Sequence, residues 1–170
     1  IGVVLIPDKE ELWISYGKKL WCEKKDGSKI KPQVSVKKSL QDMVLATSKN
    51  HRNQILKNLI EKIQFKKVKI MGSIGCKVAS IVRGESDIYI CLSMPGKSSP
   101  KDWDFAAPEA ILKASGGAIT NLKNEELTYG KSNFEQGGII IASNNSNFHQ
   151  NICFEIKEII IKYDLYPLQS

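Results

Sequence analysis

Apolar positions are patterned in two different ways along the chain. Up to about residue 36 they come in short runs broken by turn residues, and four strands are predicted over 2–7, 12–16, 20–23 and 30–35. Asp26-Gly27 supplies the residue types that tolerate positive φ in a hairpin turn between the third and fourth strands. The result is a β-meander, which needs a covering layer and reads as the tail of a larger antiparallel sheet. Residues 36–43 form the boundary between 1–36, the meander of an incomplete N-terminal domain, and 37–170, a C-terminal α/β domain.

Beyond that boundary, strands and helices alternate. Strands are expected over 44–47, 67–71, 87–92, 118–121 and 138–143, and helices over 52–63, 74–83, 105–115 and 148–163. Ile55, Leu59, Ile60 and Ile63 share one side of the first helix, with Lys57, Glu61 and Lys62 outside. The closing helix carries Ile152, Ile156, Ile159, Ile160 and Tyr163 on one stripe, which reads as core packing, and His149 reads as a surface residue of that helix. The fold class is therefore α/β: a mixed or largely parallel sheet flanked by helices, with ligands expected at the carboxyl ends of strands.

Three loop-to-helix junctions fall at that rim. Lys101-Asp102-Trp103-Asp104 leads into an apolar helix closed by Gly116-Gly117, which places Asp104 at the helix N-cap. A carboxylate there is kept ionised by the helix dipole and can hold a hard cation; the simpler alternative is that it only caps. In Met71-Gly72-Ser73-Ile74-Gly75-Cys76-Lys77, small residues after a strand let backbone amides approach an anion, and Lys77 adds a charge one turn in, although such a turn also arises by chance. Ala46-Thr47-Ser48-Lys49-Asn50-His51 is the third; there, Ser48 or Asn50 caps a helix, or Ser48 and His51 touch a ligand. Residues 93–101, rich in Pro, Gly and Ser, form a surface connection or a flap leading to Asp104.

These motifs resemble those of the magnesium-dependent, lithium-sensitive phosphatases related to inositol monophosphatase. Trp103-Asp104-Phe105-Ala106-Ala107-Pro108-Glu109 and the Gly-Gly exit are similar to the C-terminal signature of that superfamily. The Ala-Ala-Pro-Glu form, the Gly-Ser-x-Gly-x-Lys run and Glu126-Leu127-Thr128-Tyr129 look most like the 3'(2'),5'-bisphosphate nucleotidases, over about residues 2–143. The resemblance implies a layered α-β-α-β-α sandwich, Mg²⁺ held in part by Asp104, and a nucleotide bound by Ser48, His51, Ser73 and Lys77. Glycine is common in that family where Ser73 stands, so a backbone contact is implied there more firmly than a hydroxyl contact. The implied reaction is hydrolysis of the 3'-phosphate of 3'-phosphoadenosine 5'-phosphate, or of its phosphosulfate analogue, in sulfate assimilation. The alternatives are an inositol-phosphate or fructose-bisphosphate phosphatase, a non-catalytic nucleotide-binding module, and a structural or dimerisation half.

Members of the family carry acidic motifs of the type Glu-Glu and Asp-Pro-(Ile/Leu)-Asp-Gly-(Thr/Ser) ahead of the matched region, and neither stands ahead of it here. The nearest echo, Glu23-Lys24-Lys25-Asp26-Gly27-Ser28, has lysines in place of the Pro-apolar pair. With a start at Ile1, this leads to the expectation of the C-terminal half of an enzyme, inactive by itself, whose partners are a nucleotide and its own missing N-terminal half.

Composition adjusts this picture only slightly. In 170 residues, 42% of them hydrophobic, there is enough apolar material for a real core, and no run approaches the roughly 18 residues of a membrane span. Four scattered cysteines and two histidines without metal-ligand spacing argue against zinc and for reduced thiols in a cytoplasmic protein. The net charge of +7 suits a polyanionic small substrate, but the lysines are dispersed and not interleaved with aromatics, so no nucleic-acid polymer and no membrane partner is expected. A homodimer is compatible with the sequence.

Overall fold

The computed structural model describes residues 1–34, 37–49 and 53–168. Four antiparallel strands open the chain: β1 (Gly2–Ile6), β2 (Glu11–Tyr16), β3 (Lys19–Lys24) and β4 (Lys29–Ile30), ordered β1-β2-β3-β4. The Asp26-Gly27 turn is formed as expected: Gly27 sits at φ +76° and Asp26 Oδ1 accepts from the Ser28 amide at 2.9 Å. The fourth strand is shorter than its apolar pattern predicts, because only Lys29 and Ile30 pair with β3 before the chain leaves the sheet.

The second sheet has five strands: β5 (Val44–Ser48), β6 (Lys67–Met71), β7 (Ile88–Ser93), β8 (Ala118–Asn121) and β9 (Gly138–Ser143), in the order β6-β5-β7-β9-β8. β5 pairs in parallel with β6 and β7, whereas β9 pairs antiparallel with β7 and β8, so the sheet is mixed. Four helices cover it: α1 (Gln54–Ile63), α2 (Ile74–Val82), α3 (Asp102–Ala114) and α4 (Ser146–Lys162). Leu56, Leu59 and Ile63 of α1 and Ile152, Ile156 and Ile160 of α4 pack on one face, against Leu45, Ile88, Ile90 and Ile141. Val78 and Ile81 of α2 and Phe105 and Leu112 of α3 pack on the other, against Ala46, Tyr89, Ile140 and Ala142. Burial on both faces is why β9 reads as the unbroken run Ile139-Ile140-Ile141.

The meander closes over the outer side of α2 and α3, contributing Ile6, Trp13 and Cys22 to the same apolar cluster. A β-carbon on Gly2 would lie 2.8 Å from both the Ala107 carbonyl and the Ala110 β-carbon, so β1 can approach α3 this closely only with glycine there. The layers thus run helix, sheet, helix, sheet. α1 and α2 leave β5 and β6 toward opposite faces, and in such sheets the crevice at the carboxyl ends of two strands that part in this way is the usual place for a ligand.

His149 departs from its expected surface position. It is 1% exposed, with Nδ1 2.7 Å from Ser143 Oγ and Nε2 2.8 Å from Thr120 Oγ1. Those partners lie on β9 and β8, so sequence spacing along α4 could not show them. Burial lowers its pKa from the ordinary 6.5 to about 4. Because the unfolded chain takes up this proton first, the contribution to stability is complete above pH 6.5 and is lost as pH falls toward 4. We expect denaturant unfolding to lose roughly 3 kcal/mol across that interval from this group, with His149→Gln flattening the profile. An unchanged slope in the variant would remove His149 from the account.

Candidate active site

Asp104 is the third residue of α3, not its cap. Lys101 takes the N-cap position, and Asp104 Oδ2 reaches back to accept from the Lys101 amide at 2.8 Å, one half of a capping box. The expectation that Asp104 is the N-cap is corrected by one turn of geometry: extended backbone ends at Lys101, so the helix begins at Asp102. Asp102 is the buried member of the pair. Its Oδ1 accepts from Gln136 Nε2 at 2.6 Å and its Oδ2 from the Gly130 amide at 2.6 Å, pinning the loop before β9 to the helix. Asp104 Oδ1 takes no hydrogen bond among the described residues, so one half-buried carboxylate oxygen at a helix start is free. A hard cation prefers such a donor.

Ser73 is the N-cap of α2, with φ +49°, and its Oγ lies 3.5 Å from the Cys76 amide. A left-handed φ on a serine is strained and would suit glycine better. Lys77 behaves differently from a simple surface charge. It is 2% exposed, its Nζ donates to the Ser73 carbonyl at 3.0 Å, and it sits 5.2 Å from the centre of the Tyr89 ring. No carboxylate pairs with it among the described residues, and two of its three N–H donors have no hydrogen-bond partner there. Burial pushes its pKa down, partly offset by nearby Cys91 and Cys76. An ammonium held in this way is costly unless an anion arrives.

Ser48 ends β5 beside Met71, the last residue of β6. The Tyr89 hydroxyl interacts with Ser48 and Cys91, and the charge of Asp104 is felt at both Tyr89 and Cys91. Burial, reinforced by Cys91 and Asp104, raises the Tyr89 pKa well above its ordinary value; burial also raises that of Cys91. The structure therefore brings Ser48, Ser73, Lys77 and Asp104 to one crevice and adds Tyr89 and Cys91 to it. Strand alternation puts 89 and 91 on the same face of β7, a signal that was present in the sequence. His51 lies outside the described residues. Among those residues, no group of three or more His, Cys, Asp or Glu side chains could hold a metal.

The sequence profile of the inositol monophosphatase family matches residues 1–160. The chain belongs to the inositol monophosphatase family. Within it, the chain is 34% identical over 132 residues to the 3'(2'),5'-bisphosphate nucleotidase CysQ of Buchnera aphidicola, covering 78% of this chain and 46% of that protein. It is 30% identical over 108 residues to 3'(2'),5'-bisphosphate nucleotidase 1 of Mus musculus, covering 62% of this chain and 34% of the relative. Staphylococcal IMPase-II with bound 2'AMP superposes with a TM-score of 0.66 at 18% identity, over 95% of this chain and 60% of that one. Two sheets and four helices are thus the family's mixed α/β fold, and the chain spans less than half the length of the curated relatives it matches.

Proposed function

We propose that this chain is the substrate-binding, C-terminal part of a Mg²⁺-dependent 3'(2'),5'-bisphosphate nucleotidase that removes the 3'-phosphate of 3'-phosphoadenosine 5'-phosphate or its phosphosulfate analogue. The observation that carries it is the buried, carboxylate-free ammonium of Lys77 in one crevice with the free oxygen of Asp104. A cation lacking an anion and an anion lacking a cation are what a phosphate ester and a metal ion would each satisfy.

In this reading Lys77 and the amides following Ser73 hold the phosphate that is not transferred, Ser48 contacts the nucleoside, and Asp104 is one ligand of the metal. Mg²⁺, when bound, neutralises phosphoryl oxygens and makes a water nucleophilic. The Lys101 amide fixes the Asp104 carboxyl through Oδ2 and leaves Oδ1 free, so that oxygen would be the one to hold the ion. The remaining ligands come from acidic motifs in the half of the relatives that this chain does not span.

Two measurements test the reading. The 170-residue chain is expected to bind 3'-phosphoadenosine 5'-phosphate in calorimetry, at least tenfold better than inositol phosphate, and Lys77→Ala should abolish that preference. It should release no phosphate with Mg²⁺, because one carboxylate cannot replace a full ligand set. Equal binding of the two esters would favour an inositol phosphatase, and turnover by the isolated chain would refute the division of labour.

A further inference from the structure

On the α1/α4 side of the second sheet, at the carboxyl end of β7, lies a cavity of about 800 Å³ that shares no lining residue with the Asp104 crevice. That volume is in the range of small-molecule sites. Its walls are the loop after β7, the turn after β8, the segment before β9, and the chain that follows α4. The apolar part includes Leu122 and Ile139, both buried in the core cluster on that side, and the half-buried Tyr166. Tyr166 is held in place by its hydroxyl, which donates to the Ser93 carbonyl at 2.8 Å.

Four lysines, Lys97, Lys123, Lys131 and Lys157, line the same cavity, and none makes an ion pair among the described residues. Two carboxylates are present, one ion-paired and one that keeps its charge against the four lysines. Glu135 pairs with Lys101 at 2.9 Å, and Glu125 accepts from Asn121 Nδ2 at 2.7 Å. Lys157 is half-buried on α4, and Lys97, Lys123 and Lys131 stand exposed around the mouth.

We propose that this cavity is a second binding site, for an organic phosphate carrying a flat ring, of the size and kind of a nucleoside monophosphate. The ring lies on the Leu122, Ile139 and Tyr166 surface and the phosphate meets the lysines. Inorganic phosphate would use only the charge, and a free nucleoside only the floor. The two parts together set the preference.

The test uses the 170-residue chain in a Lys77→Ala background, which removes the cation of the first crevice and keeps the two sites separable. AMP, adenosine and inorganic phosphate are titrated by calorimetry at low and high salt. AMP is expected to bind at least tenfold tighter than either fragment, more weakly at high salt, and at least tenfold more weakly when Lys97→Ala and Lys157→Ala are added. Amide shifts on AMP addition should fall at Leu122, Ile139 and Tyr166, not at Ser73 and Cys76, a readout that needs no further variant. Failure to bind millimolar AMP, phosphate binding as tightly as AMP, shifts confined to the Ser73 loop, or indifference to the two lysine substitutions would each overturn the site. None of these outcomes bears on the phosphatase reading, which fails instead if the unsubstituted chain shows no Lys77-dependent binding.

Discussion

Asp104→Asn, made in a polypeptide that also carries the N-terminal half of the family, is expected to lower kcat/KM toward 3'-phosphoadenosine 5'-phosphate by about 10²–10³-fold, with little change in Tm. The two effects separate because the carboxyl has two jobs on two oxygens. Oδ2 accepts from the Lys101 amide, and an amide oxygen can take over that bond. Oδ1 is free for the cation, and an uncharged amide is a far weaker ligand for Mg²⁺ than a carboxylate. Several kcal/mol of transition-state charge stabilisation pass through such an ion, and each 1.36 kcal/mol is tenfold in rate. Asp104→Ala loses both jobs and should add a stability cost of about 1 kcal/mol, the usual penalty for a lost cap. If Asp104 only caps, the order reverses: the Asn variant keeps its rate, and only the Ala variant is affected, through stability. Steady-state rates at saturating Mg²⁺, read beside thermal unfolding of both variants, distinguish the cases.

The capping role and the ligand role could not be told apart from the letters Lys-Asp-Trp-Asp, because the distinction is one of register. Both aspartates suit a helix start, and which becomes buried depends on Gln136 and Gly130, residues about thirty positions away. Elements governed by local pattern were more legible. β8 and β9 occupy the expected 118–121 and 138–143, and α2 starts at Ile74 as its Gly-Ser turn indicates. α4 begins two residues earlier than its apolar stripe, because Asn145 caps it by accepting from the Asn147 amide. Long-range packing is what remained hidden. Lys77 reads as a charge one turn into α2, but its burial follows only once the layers pack, and His149 reads as a surface residue until Ser143 and Thr120 flank it. Cys91 and Tyr89 were masked by the apolar run Ile88-Tyr89-Ile90-Cys91-Leu92, in which strand alternation aims two side chains at the crevice and the others at α1 and α4.

The same closure rests on one buried ion pair, and breaking it carries the largest expected cost in stability. Glu11 on β2 and Arg83 at the C-cap of α2 meet at 2.6 Å, with side chains 4% and 9% exposed. The Trp13 indole also donates to Glu11, at 3.0 Å, while Arg83 holds the more exposed Glu85 through two further bonds of 2.9 and 3.1 Å. The two partners are therefore unequal. Removing Glu11 leaves Arg83 with a carboxylate, whereas removing Arg83 leaves a buried carboxylate with only an indole N–H. Arg83→Met is accordingly expected to cost about 3–5 kcal/mol, the usual penalty for an uncompensated buried charge, and Glu11→Met less. For a chain of this size each kcal/mol moves Tm by about 2–4 °C, so the Arg83 variant should melt roughly 6–20 °C lower. The double variant, Glu11→Met with Arg83→Met, should recover much of that loss, since two apolar side chains leave no stranded charge. Circular dichroism melts of the three variants decide it. A shift under about 2 °C for Arg83→Met, or a double variant worse than the sum of the singles, would mean that the meander is held to α2 by its apolar contacts alone. Because Ser73 and Lys77 ride on the other end of that helix, the Arg83 variant is also expected to weaken nucleotide binding well below its melting temperature, as loosening of the meander frees the α2 N-terminus to fray.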